Sequence, residues 1–142
     1  MLALAVAAPL LAQTAQTTQT APAAERPASA GVYTEAQAAE GETVYRAACS
    51  ACHVPSDQSG PQFKLNWVGR TVWEYWAGLK KTMPEDNVGG LSNDEYTRVV
   101  AYILRLNGYP AGADSLSSDS TSLKLIRIAP LAGDAAKPLT RR

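Results

Sequence analysis

The run from Cys49 to His53, Cys-Ser-Ala-Cys-His, constrains this chain more than any other feature. Its two thiols stand three positions apart, about one helical turn, so both sulfurs can face one edge of a porphyrin. The imidazole directly behind the second thiol can then bind iron beneath the ring. Cys49 and Cys52 are therefore predicted to attach a c-type haem covalently, with His53 as an axial ligand of the iron.

Two other interpretations of this pair of cysteines must be weighed. A Cys-x-x-Cys pair can form a redox disulfide, but it then normally follows a strand of a βαβ unit. Here the residues upstream, 36–48, have a helical pattern. A zinc site needs four ligands, and because the chain has only two Cys and one His, carboxylates would have to complete it. We favour haem over both alternatives.

Met83 is the candidate for the second axial ligand. The chain has no second His, and of its two methionines Met1 is either the initiator or part of an apolar N-terminal run. Met83 is followed by Pro84 and lies thirty residues after His53, far enough to pass around the ring to its other face. The alternative is a buried methionine that fills a gap in the core. Given the haem signal, we favour ligation.

Helix signals dominate the middle of the chain. Capping-box patterns predict three helix starts; they are Thr34 with Gln37 for a helix through Ala48, Thr71 with Glu74 for a helix to about Lys81, and Ser92 with Glu95 for a helix from Asn93 to Asn107. The segment 54–62 is rich in Pro, Ser, Asp and Gly and is predicted to be a loop. No convincing strand pattern is present, so the predicted fold class is all-α, with three to four helices around one haem.

Gly41 is an unusual residue for the interior of the first predicted helix. Glycine costs about 1 kcal/mol relative to alanine there, so a packing reason is expected. Gly41 and Tyr45 are four positions apart and share one face of the helix. We expect another helix to cross closely over Gly41, with Tyr45 filling the space beside it.

These motifs, in this order, resemble those of the class I cytochromes c over residues 34–108. The attachment motif and the Met83-Pro84 pair are in register with helix-crossing positions on the first and last helices; these are Gly41 and Tyr45, and Val99 and Tyr102. Val54 departs from the resemblance, since many relatives have Gly after the histidine. The resemblance implies a cytochrome c fold with one covalent haem c ligated by His53 and Met83.

Three further residues are predicted to contact the haem or its histidine. Pro61 resembles the proline whose carbonyl accepts a hydrogen bond from the ligand histidine and so fixes its tautomer. Trp67 and Arg70 precede a predicted pocket helix, and one or both are expected to bind a haem propionate, because a buried carboxylate is costly without charged donors. The alternative for Arg70 is plain surface exposure. The segment 67–71 is also similar to that of small cytochromes that accompany quinoprotein dehydrogenases.

The chain divides into four parts by composition. Residues 1–15 contain an apolar run that matches the h-region of a secretory signal without its basic n-region, and membrane attachment is expected only if this segment stays uncleaved. Residues 16–31 are predicted to be a flexible Ala/Thr/Gln/Pro linker. The cytochrome c domain is expected at 32–110. Residues 111–142 are predicted to be a partly disordered extension, although the apolar residues between 116 and 128 can in part pack back on the domain.

The function implied is that of a one-electron carrier rather than an enzyme, because iron with six ligands has no open position for a substrate. The resemblance implies a periplasmic or otherwise exported protein, since c-type haem is attached outside the cytoplasm in bacteria. Redox proteins, such as a quinoprotein dehydrogenase or a terminal oxidase, are the expected partners. Equal numbers of basic and acidic residues, 13 each, give no basic field for nucleic acid. The alternative is a haem-based gas sensor or ligand-binding protein in which Met83 leaves the iron.

Overall fold

The structure, a computed structural model, describes residues 24–134. Its regular elements within that range are mainly helical and confirm the predicted all-α class; they are the helices α1 (Glu35–Ala48), α2 (Gly60–Trp67), α3 (Val72–Thr82), α4 (Asn93–Leu106) and α5 (Ser120–Lys124), two 3-10 turns (Ala28–Ala30 and Pro55–Gln58) and the two-residue strands β1 (Arg26–Pro27) and β2 (Ile126–Arg127). In the described part of the chain the helices outnumber the predicted three to four. The two strands form a single short parallel pair that the sequence did not predict.

Side-chain caps start the three predicted helices. The hydroxyls of Thr71 and Ser92 accept from the backbone N–H three residues later, and the glutamates there complete the reciprocal bonds. The first box is only half formed, because Thr34 accepts from the Gln37 N–H while the Gln37 side chain is used elsewhere. Its amide group bonds both the N–H and the carbonyl of Leu116, each at 2.8 Å. This glutamine therefore ties the C-terminal segment to α1.

The predicted loop at 54–62 is wrong in part, because it contains a 3-10 turn and the first turn of α2. Proline is acceptable in a first helical turn, where its missing N–H would have had no partner. The buried Asn107 fastens this region to the end of α4. Its amide nitrogen donates to the Gln58 carbonyl at 2.9 Å, and its amide oxygen accepts from the Gly60 N–H at 3.0 Å. Long-range hydrogen bonds, which no local pattern shows, thus order the segment.

Helices α1 and α4 cross at Gly41, as the sequence predicted. A Cβ atom on Gly41 would lie 1.8 Å from the carbonyl oxygen of Arg98, so only glycine permits this approach. The ring of Tyr45 packs beside the crossing, 5.3 Å from the ring of Tyr102 between centroids. The crossing fixes the position of the C-terminal end of α1, where the attachment motif begins.

Both ends of the described chain pack against the domain. Ala28 is fully buried and β1 pairs with β2, so the structure differs from the predicted flexible linker at residues 26–30. The segment 111–134, here called the C-terminal strap, buries apolar side chains against the domain; these are Leu116, Leu123, Ile126 and Ile128. The predicted signal segment 1–15, the linker up to residue 23 and residues 135–142 lie outside the described residues. Between residues 24 and 134, no helix has the length and apolar character needed to cross a membrane.

Candidate haem-binding site

A cavity of about 640 Å³ lies among α1, α3 and α4. Its walls include the apolar side chains of Leu79, Val99 and Ile103. The volume falls within the range of about 300–1,000 Å³ typical of sites for cofactors and other small molecules. The same cavity is lined by all four residues predicted to attach the haem or bind its iron, which are Cys49, Cys52, His53 and Met83. The donor set and the apolar walls therefore fit a haem.

The attachment motif forms a tight turn at the end of α1. Cys49 caps the helix, and its N–H donates to the Tyr45 carbonyl at 2.8 Å. The N–H groups of Cys52 and His53 both donate back to the Cys49 carbonyl, at 3.2 and 3.0 Å. Burial raises the pKa of the Cys49 thiol, so this sulfur is protonated at neutral pH before any thioether forms. The turn holds two thiols and an imidazole at one wall of the cavity.

Tyr45 holds this turn against α1, a role that the sequence analysis did not assign. Its hydroxyl lies within hydrogen-bonding distance of two carbonyls, those of His53 at 3.4 Å and Val54 at 3.3 Å. Burial raises the pKa of Tyr45 to about 12, so the hydroxyl remains a donor throughout the physiological range. The sequence analysis gives Tyr45 only a packing role beside Gly41. The signal that could have indicated its role in the turn is its position four residues before Cys49.

Met83 enters the cavity from the end of α3. Its N–H donates to the Leu79 carbonyl at 2.8 Å and caps the helix. Its carbonyl accepts a hydrogen bond of 2.6 Å from the hydroxyl of Tyr96 on α4. The sequence analysis did not predict this bond. Ligation of iron by Met83 remains a prediction, which its place in the cavity supports.

The other three predicted site residues are placed differently from one another. Trp67 lines the cavity, whereas Arg70 is exposed and lies outside the lining. The guanidinium carbon of Arg70 is 5.3 Å from the centroid of the Trp67 ring, so the two side chains stack. Pro61 is exposed in the first turn of α2, and among the described residues no hydrogen bond joins its carbonyl to the His53 ring. Their contacts with haem remain predictions.

A polar pair that the sequence analysis missed also lines the cavity. The Tyr75 hydroxyl donates to the side-chain oxygen of Gln58 at 3.3 Å, and the Tyr75 ring packs edge-on against Trp67 with centroids 4.6 Å apart. Burial raises the pKa of Tyr75 well above its usual value, so it stays neutral. The side-chain amide of Gln58 and the indole N–H of Trp67 at this wall are suitable donors for a buried carboxylate such as a propionate. Gln58 lies in the segment 54–62, and the prediction of a loop there gave no position for its side chain.

The two alternative uses of the cysteines find no support in the geometry. Residues 24–134 contain every Cys, His, Asp and Glu side chain of the sequence. In that range no three of these side chains are grouped as a metal site would require, and zinc needs four ligands. The cysteine pair follows a helix rather than a strand, unlike the redox pairs of βαβ units. Haem remains the interpretation that the site supports.

Comparison with known proteins agrees with this geometry. The family model described as cytochrome c oxidase, cbb3-type, subunit III matches residues 36–103, from α1 through most of α4. No curated protein and no solved structure gave a significant match. The matched segment contains the complete attachment motif and Met83. The match indicates that residues 36–103 form a domain of the c-type cytochrome family, and such a domain implies covalently bound haem c.

Proposed function

We propose that this protein is a periplasmic, or otherwise exported, one-electron carrier with a single haem c ligated by His53 and Met83. One observation carries the proposal: both predicted ligands and both predicted attachment cysteines line one cavity inside the matched domain. The family match supports an electron carrier rather than an enzyme in general terms. The exported location rests on the resemblance to cytochromes whose haem is attached outside the cytoplasm.

The protein residues serve this function by holding two ligands still. Haem iron supplies a one-electron couple whose potential a thioether ligand and an apolar pocket raise. Tyr45 fastens the turn that carries His53, and Tyr96 fastens the backbone of Met83. Apolar side chains such as Val99 and Ile103 line the cavity, and they lower the polarity around a haem bound there. Fixed ligands keep the geometry alike in both oxidation states, which favours rapid electron transfer.

The partner is proposed to be another redox protein. The family description names a subunit of a cbb3-type oxidase, so a terminal oxidase is the partner that this match favours. The likeness of residues 67–71 to cytochromes that accompany quinoprotein dehydrogenases supports a dehydrogenase as the electron donor. A carrier between the two would receive electrons from the dehydrogenase and pass them to the oxidase.

The test of Met83 ligation distinguishes a carrier from a gas sensor. The ferric protein should show a sulfur-to-iron charge-transfer band, and the ferrous protein should bind carbon monoxide slowly or not at all near neutral pH. Met83→Ala should abolish the band and permit rapid carbon monoxide binding, because the sulfur ligand is gone. It should also lower the midpoint potential, because an oxygen donor stabilises ferric iron better than a thioether does.

The matched control is Val88→Ala, which removes an exposed apolar side chain from the segment that follows Met83. This variant should keep the band and the potential. Fast, tight binding of carbon monoxide by the unaltered protein would contradict the carrier and favour the sensor, since it would mean that the sixth position is open or easily vacated.

A further inference from the structure

The backbone of Met83 is held on both sides by hydrogen bonds. Its N–H is bound by the carbonyl of Leu79 within α3, and its carbonyl is bound by the Tyr96 hydroxyl from α4 at 2.6 Å. The first bond belongs to the helix end and leaves the side chain of Met83 free to turn with that end. The second comes from a different helix. It therefore sets where the methionine lies relative to the cavity.

Tyr96 is well suited to act as a fixed anchor. Its side chain is completely buried, and its ring packs edge-on against Trp76 with centroids 6.1 Å apart. Trp76 is itself fixed, because its indole N–H donates to the buried Thr97 hydroxyl at 3.0 Å and its ring stacks on Trp73. Because its ring is packed in this way, the Tyr96 hydroxyl has little freedom to follow the Met83 carbonyl if that carbonyl moves.

The segment after Met83 has few other attachments. Residues 85–90 are exposed, and their backbone bonds are local turns, from Asn87 N–H to the Pro84 carbonyl at 3.0 Å and from Gly90 N–H to the Asn87 carbonyl at 2.9 Å. Among the described residues, no side chain other than Tyr96 hydrogen-bonds the backbone of residues 83–91. Exposed segments with few buried contacts open at low free energy. Within the described residues, the Tyr96 bond is thus the side-chain hydrogen bond that restrains the backbone of this segment.

We propose that Tyr96 is a positioning residue that latches the Met83 segment and so controls how often the sixth coordination position of the iron is vacated. The expected effect of Tyr96 on access to the iron rests on the proposed ligation by Met83. The expected effect of Tyr96 on the mobility of residues 83–91 does not depend on that ligation. Loss of the hydroxyl leaves the ring in place and leaves the Met83 carbonyl without its donor. The segment then opens more often, and an external ligand reaches the iron more readily.

The test compares Tyr96→Phe with Tyr33→Phe in the full-length holo protein. Tyr33 is the matched control, because it too is buried and its hydroxyl donates to a backbone carbonyl, that of Tyr109 at 2.5 Å, outside the haem cavity. Each variant removes one buried tyrosine hydroxyl. Two quantities are measured: the rate of carbon monoxide binding to ferrous protein and the hydrogen-exchange rates of amides in residues 83–91.

Tyr96→Phe should raise both rates about fivefold or more over the unaltered protein, the factor that corresponds to one neutral hydrogen bond. Tyr33→Phe should leave both rates nearly unchanged, even if it lowers the melting temperature as much as Tyr96→Phe does. Equal behaviour of the two variants in both measurements would overturn the latch. If the unaltered protein lacks the sulfur-to-iron band, ligation by Met83 fails, yet exchange at residues 83–91 still decides whether Tyr96 holds the segment.

Discussion

Gly41 is a residue at which the fold tolerates little change. Its hydrogen atoms face the Arg98 carbonyl of α4, and a Cβ at 1.8 Å from that oxygen would force the helices apart. Gly41→Val is expected to lower the free energy of unfolding of the holo protein by about 3 kcal/mol, the upper part of the usual range for overpacking, because the obstacle is backbone rather than a movable side chain. Denaturant unfolding followed by circular dichroism measures it.

Thr43→Val is the control for this substitution. It places the same β-branched residue on an exposed position of the same helix, two residues away. Its effect on stability should stay within about 0.5 kcal/mol, as for most surface substitutions. A Gly41→Val protein as stable as the Thr43→Val protein would mean that α1 and α4 do not meet here.

Arg70 tests the predicted contact with a propionate. It stacks on Trp67, which lines the cavity, but its own side chain is exposed and outside the lining. If the charge of Arg70 stabilises a propionate anion at the cavity, Arg70→Gln should change the midpoint potential and the dependence of that potential on pH. Arg46→Gln, an exposed arginine on α1, is the control and should change neither. Titration curves of Arg70→Gln that match those of the control would leave Arg70 as a surface residue.

At the scale of elements, local signals were sufficient for α1, α3 and α4 and insufficient for α2 and α5. The capping boxes at Thr71 and Ser92 formed as predicted, because every atom of such a box lies within four residues. Helix α2 was missed, since it buries only Phe63 and begins with Gly60 and Pro61, which mark turns in most sequences. Its surroundings are ordered by Asn107, forty-seven residues from Gly60. Sequence spacing carries no signal of such a bond.

The candidate site also contains some residues that the sequence could indicate and others that it could not. The attachment motif could be predicted because covalent haem needs two thiols and an imidazole at fixed spacing. Met83 was selected by elimination among the few possible ligands; it lines the same cavity, and its ligation of iron stays a prediction. The tyrosines that hold the backbone of these segments could not be predicted, because a buried tyrosine is equally compatible with plain packing. The packing of α4 against the end of α3 gives Tyr96 its partner, and the turn that follows α1 gives Tyr45 its two carbonyls.

At the scale of the whole described chain, hydrogen bonds and an ion pair join the segments near its two ends to each other and to the domain, whereas the sequence indicated only that apolar residues between 116 and 128 can pack back. Ile128, in the C-terminal strap, exchanges two backbone hydrogen bonds of 2.8 Å with the connection between α2 and α3, at Gly69 and Arg70. Arg127 adds a side-chain bond to the Gly69 carbonyl at 2.7 Å and pairs with Glu25 before β1. The strap therefore joins the N-terminal strand to the connection that follows Trp67, one wall of the cavity.

We expect the strap to unfold together with the haem domain rather than before it. The side chain of Ile128 is fully buried, so Ile128→Ala should leave a cavity and lower the free energy of unfolding by about 3 kcal/mol. The half-buried Leu125 of the same strap is the control, and Leu125→Ala should cost less than half as much. Haem absorbance and circular dichroism should report one shared transition for each variant. Equal stability of the two variants, or a separate early transition, would show that the strap is not part of the cooperative core.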